Sequence, residues 1–134
     1  MRNWVDLIQS DLSKGGIQMR VLIGALAVAL LAGCATPTMP AMRDRGPVKT
    51  FSSVKSPDAL AKCVLFAWQD SKLSGGGMVM AMQPGRNGGS TVYAGDREYF
   101  ADITPTGTGS SVKYYAISNN WVSRDLQEPM TSCL

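Results

Sequence analysis

Ser56-Pro57-Asp58-Ala59-Leu60-Ala61-Lys62-Cys63-Val64-Leu65-Phe66-Ala67-Trp68 is the stretch from which the fold is read. Its first three residues are a helix start. Ser56 offers a hydroxyl oxygen to free amides, Pro57 needs no donor at the first helical position, and Asp58 complements the positive end of the helix dipole. Leu60, Cys63, Val64, Ala67 and Trp68 then recur at i, i+3, i+4, i+7 and i+8, one apolar stripe with Cys63 on its buried side. The spacing predicts a helix that stops near Lys72, ahead of Gly75-Gly76-Gly77, where glycine disfavours its continuation.

Beyond the glycines the pattern changes to short strands, at 78–83, 91–94, 97–103 and 111–117, separated by turn-forming segments at 84–89, 95–96 and 104–110. Short links favour antiparallel neighbours. Residues 48–54 suit a short edge strand. A last segment, 119–128, reads as a short helix started by Asn119 or Asn120, burying Trp121, Val122 and Leu126 and ended by Pro129. The expectation is a single α+β domain over 48–134: a small antiparallel sheet of about four strands, an N-terminal helix packed on one face, and a short C-terminal helical segment.

Charge pairing assigns the strand faces. If Lys113 shares a face with Glu98 and Asp102, then Phe100 and Tyr115 lie there too, while Arg97, Tyr99, Ala101, Val112 and Tyr114 point towards the helix. Tyr93 joins the first set. Tyr93, Phe100, Lys113 and Tyr115 therefore form a candidate binding face for a protein, a glycan or a second copy. Two other readings stand beside it: the segment led by Trp121 covers these rings, or the register is opposite and the rings are core.

Upstream, residues 21–31 form an uninterrupted apolar run preceded by Arg20, the layout of a secretory signal. As a helix it reaches about 16 Å, roughly half the hydrocarbon thickness of a bilayer. The four residues that close it, Leu31-Ala32-Gly33-Cys34, resemble the lipobox of bacterial lipoproteins. That resemblance implies a diacylglyceryl group on the Cys34 sulfur, cleavage by signal peptidase II between Gly33 and Cys34, and acyl chains as the membrane anchor. Ala35 stands where enteric lipoproteins retained in the inner membrane carry aspartate, so the implied location is the outer membrane, facing the periplasm. Residues 19–33 are then the signal peptide, and 34–47, with Pro37, Pro40, Pro47 and Arg43-Asp44-Arg45, an extended, flexible tether whose arginines could touch headgroups. Residues 1–18 carry Asp6 and Asp11, which suit a signal peptide poorly, and read as an extension upstream of a start at Met19. The alternative there is an amphipathic surface helix using Trp4, Ile8 and Leu12.

Removing 33 residues from the 134 leaves 101, enough for one domain. They hold ten lysines and arginines against eight aspartates and glutamates, a balance that gives no reason to invoke nucleic acid. With Cys34 lipidated, Cys63 and Cys133 are the one intramolecular pair left, and an exported compartment favours their disulfide.

The chain has no histidine and no recognisable nucleophile motif. A serine–lysine pair is the one catalytic combination left open. Met78, Met80 and Met82 could suggest copper(I), yet alternate strand positions stand about 6.7 Å apart and the preferred reading is that they fill space beneath the helix. Glu98 and Asp102, about 13 Å apart along a strand, do not make a carboxylate pair for hydrolysis. Neither glycine-rich segment has the sequence of a phosphate loop.

No enzyme, metal or cofactor is expected. The reading is a non-enzymatic binding or assembly module of the cell envelope, anchored in the membrane through Cys34, with an envelope protein or glycan as partner. The alternative is an inhibitor of a hydrolase, a lysozyme or protease, acting through the loops at 84–89 or 104–110.

Overall fold

The computed structural model describes residues 36–134. Along them run α1 (Met39–Arg45), β1 (Lys49–Ser53), α2 (Pro57–Gln69), a short α3 (Lys72–Gly75), β2 (Met80–Pro84), a 3-10 turn (Arg86–Gly88), β3 (Ser90–Ala94), β4 (Tyr99–Thr106), β5 (Gly109–Ala116) and α4 (Trp121–Thr131). The lipobox with Cys34, the apolar run, Met19 and the Trp4, Ile8 and Leu12 positions lie outside the described residues.

Helix α2 starts as its sequence requires. The Ser56 hydroxyl accepts a hydrogen bond from the Ala59 amide at 3.4 Å, Pro57 takes the first position, and Asp58 sits in the first turn. Leu60, Ala61, Val64 and Trp68 are fully buried. After Gln69 the chain makes one more helical turn, α3, which the expected stop near Lys72 does not include; burial of Leu73 accounts for it.

All strand pairs are antiparallel, in the order β1-β5-β4-β3-β2. The fold is α+β, with five strands where about four are expected, because the edge segment at the N-terminal side pairs fully with β5. The expected seven-residue link at 104–110 is mostly strand. Thr106 pairs with Gly109, leaving a hairpin with Gly107-Thr108 at its tip. Glycine is required at 109, because a Cβ there would stand 2.1 Å from the Ser53 carbonyl oxygen of the neighbouring β1.

One face of the sheet meets α2 and α4. Val92, Ala94, Ala101, Ile103, Val112 and Tyr114 are buried against them. Two aromatic tips fasten α4. Trp68 Nε1 donates to the Leu126 carbonyl at 2.8 Å, and the Tyr114 hydroxyl donates to the Ser123 carbonyl at 3.2 Å, so both polar ends are satisfied in the interior. The two rings meet edge to face, 6.4 Å between centroids. A disulfide joins Cys63 of α2 to Cys133, beyond α4, with the Cα atoms 5.8 Å apart and 70 residues of separation. A loop of that length is worth about 4 kcal/mol in the chain-entropy account.

Helix α4 begins at Asn120, whose side chain accepts from the Ser123 amide at 3.0 Å, and it runs through Pro129 instead of ending there. Proline removes one amide donor, but Met130 and Cys133, 0 % and 1 % exposed, draw this last turn into the core. Trp121 lies on the opposite side of the helix and is 60 % exposed. Of the methionine row, Met80 is buried and Met78 packs against the same core, as the space-filling reading expects, while Met82 reaches the sheet edge half-exposed.

Candidate binding site

On the other sheet face the strand periodicity brings Tyr93, Phe100 and Tyr115 together. Phe100 pairs in register with both Tyr93 and Tyr115, and Asp102 pairs with Thr91 and Lys113. Phe100 and Tyr115 stack with centroids 4.6 Å apart and planes 15° from parallel. The face assignment made from charge pairing therefore matches the structure for the strand residues. Arg97 is the exception: it sits in the β3–β4 turn with φ 68°, and its guanidinium lies 5.5 Å from the Tyr93 ring instead of pointing towards the helices.

This face is not open. Phe100 is 0 % and Tyr115 5 % exposed, which overturns the open ring surface among the three readings and leaves those in which the rings are buried. The cover is neither the Trp121 segment nor an inverted register but α1, formed by residues expected to be an extended, flexible tether. The folded unit accordingly begins at Pro37, not near Val48. Local chemistry explains the helix. Thr38 accepts from the Ala41 amide at 3.4 Å, Pro40 fits the first turn, and Gly46, with φ 93°, ends it. Met39 and Met42, three apart, bury against the stacked rings.

Arg43, one residue on, anchors α1 electrostatically. Its Nε donates to Asp102 Oδ2 at 2.7 Å and its Nη2 to Oδ1 at 2.8 Å, a bidentate pair. The Thr91 hydroxyl donates to the same carboxylate at 2.6 Å. The guanidinium carbon stands 4.9 Å from the Phe100 centroid, close enough for a cation–π contribution. Hydrogen bonding to Asp102 raises the Arg43 pKa above its ordinary value, with burial acting against it. Burial pushes the Tyr115 phenol up; the Asp102 charge adds to this and Arg43 opposes it.

The consequence falls on Lys113. It is directly opposite Asp102 in the ladder, the pairing on which the face assignment rested. Arg43 has taken that carboxylate, so Lys113 has no acidic partner within 4.0 Å among the described residues. It lines, with Arg86, Asn87, Thr104 and Tyr115, a cleft of about 370 Å³ beside α1, in whose wall the Arg43–Asp102 pair also lies. The turn that presents Arg86 is pinned to the sheet. The Gly85 amide donates to the Gly89 carbonyl at 2.8 Å, and a Cβ on Gly89 would stand 1.8 Å from the Ile103 carbonyl oxygen, so only glycine permits this approach.

Of the candidate binding residues, Lys113 is exposed and Tyr93 half-buried, whereas Phe100 and Tyr115 serve mainly as the seat for α1. Sequence reasoning missed Arg43 as a structural partner and Arg86 altogether. Thr38, Pro40 and the Met39/Met42 spacing carry the signal for α1; nothing in the glycine-rich turn marks Arg86. None of the described hydrogen bonds joins a serine hydroxyl to a lysine ammonium. Among the described residues no three His, Cys, Asp or Glu side chains are placed to hold a metal ion. No family model, curated protein or solved structure matches this chain, so its chemistry rests on its own residues.

Proposed function

We propose that this chain is a lipid-anchored, non-enzymatic binding or assembly module of the bacterial cell envelope. Acyl chains on Cys34 hold it to the membrane, by the lipobox resemblance, in the outer membrane facing the periplasm. The observation that carries the binding role is the cleft beside α1, where the sheet presents Lys113 without a carboxylate partner among the described residues. The same surface is the one offered to an envelope protein or glycan. With the folded unit beginning at Pro37, two residues of sequence separate Cys34 from it, against the thirteen of a tether reaching residue 47.

Two measurements test this. Cys34→Ala should abolish the acyl mass and move the protein out of the membrane fraction; undiminished membrane association would contradict lipid as the anchor. In cells, photo-crosslinkers at positions 86 and 113 should capture a reproducible envelope component that a crosslinker at position 124 on α4 does not. Equal capture from all three positions would contradict a working surface on this face.

A further inference from the structure

The cleft contains a charge imbalance that the sheet itself does not need. Its charged lining consists of Arg43, Arg86, Lys113 and Asp102. Asp102 already receives both guanidinium hydrogen bonds of Arg43 and the hydroxyl of Thr91. Arg86 and Lys113 are therefore left as two cations from separate elements, one on a pinned turn and one on the strand β5, both exposed and neither within 4.0 Å of a carboxylate among the described residues. Two like charges facing one concavity focus a positive potential there, and an entering anion relieves their mutual repulsion.

The rest of the lining suits an oxyanion. Asn87, held in the left-handed region at φ 62°, brings an amide donor, and Thr104, on the same strand face as Asp102, brings a hydroxyl. Tyr115 and Pro105 add apolar wall. At about 370 Å³ the cleft lies at the small end of ligand sites, which run from about 300 to 1,000 Å³.

We infer that this cleft binds a small molecule or headgroup through an oxyanion, carboxylate or phosphate, bridged between Arg86 and Lys113. The inference deepens the binding reading above and rests on it in taking this face as the working surface. It names the ligand class and assigns Arg86 a role that the sequence did not suggest. Arg43 is a positioning residue here, since by occupying Asp102 it leaves Lys113 available.

The test uses the full chain in phosphatidylcholine nanodiscs, with amide NMR shifts read at constant ionic strength. Inorganic phosphate, and separately acetate, should each be titrated. The expected result is saturable shifts at Arg86, Asn87, Thr104 and Lys113 with α4 unmoved. Arg86→Ala/Lys113→Ala should weaken binding about tenfold or more, while Arg86→Lys/Lys113→Arg retains it. A second arm replaces part of the phosphatidylcholine with phosphatidylglycerol and omits the soluble anions. Saturation by a soluble anion identifies a free ligand. Cleft shifts seen only with phosphatidylglycerol identify a lipid phosphate.

The double-alanine variant must lose the response in either arm. Shifts that do not saturate, that spread over the whole domain, or that persist in that variant would overturn the inference. Intact mass of the Cys34 peptide is read on the same sample, so failure of lipidation and failure of anion binding are separate results.

Discussion

The two faces of the sheet are covered by different means. Against the inner face, α2 and α4 bury a continuous apolar core, tied by a disulfide and by the hydrogen bonds of Trp68 and Tyr114. Among the described residues, the outer face is covered by the seven-residue α1, seated on two methionines and one bidentate ion pair, with a polar cleft beside it. The inner face carries most of the stability. Among the described residues, the outer face retains charge without an acidic partner and accessible donors, the features a binding surface needs.

The largest expected effect of a single substitution is on the inner face. Trp68→Ala removes a fully buried ring and its hydrogen bond to Leu126, and should lower unfolding free energy by about 4 kcal/mol in a denaturant titration. Close behind, Cys63→Ser/Cys133→Ser should cost about 2–4 kcal/mol. If the two changes together cost no more than the disulfide alone, the inner face is not the main source of stability and the contrast fails.

On the outer face, Asp102→Asn should cost about 1–2 kcal/mol, between the values for exposed and fully buried pairs, since both partners are 17 % exposed. Its signature should be local. Amide hydrogen exchange should accelerate in α1 while α2 and α4 keep their protection. Acceleration in α2 would mean that the two faces unfold as one unit.

The tyrosines sharpen the comparison through pH. Burial raises the Tyr114 pKa, with its Ser123 hydrogen bond opposing and Tyr99 adding. Its folded pKa exceeds the unfolded value near 10, so its contribution is fully present below about pH 10 and is lost as pH rises through the folded value. Tyr114→Phe should therefore cost about 1 kcal/mol at pH 7 and show a shallower fall in stability between pH 9.5 and 11. An unchanged alkaline slope would show that Tyr114 does not carry this dependence. Smallest of all, Arg86→Ala/Lys113→Ala should change stability by about 0.5 kcal/mol or less, because these side chains serve the cleft and not the core.

Much of the inner architecture is legible in the sequence because it depends on local pattern. Ser56-Pro57-Asp58 marks the start of α2, the 3.6-residue stripe marks its buried side, and strand alternation places Tyr114 inward and Tyr115 outward. What escapes depends on contacts between distant residues. Pro129 reads as a stop because its sequence neighbourhood does not show the core waiting for Met130. Likewise, Arg43 reads as part of a tether because Asp102 lies 59 residues away. The opposite-charge rule found the right face through Lys113 and Asp102, yet it named the wrong cation for the carboxylate. An arginine from outside the sheet supplies two parallel donors where a cross-strand lysine supplies a point charge.

The most direct test of this account is a pair of double-mutant cycles by denaturant unfolding, Arg43→Met with Asp102→Asn and Lys113→Met with Asp102→Asn. The structure calls for a coupling of about 1–2 kcal/mol in the first cycle and close to zero in the second. Coupling concentrated in the Lys113 cycle would return that lysine to the sheet's own structure and remove the cation on which the proposed binding surface depends.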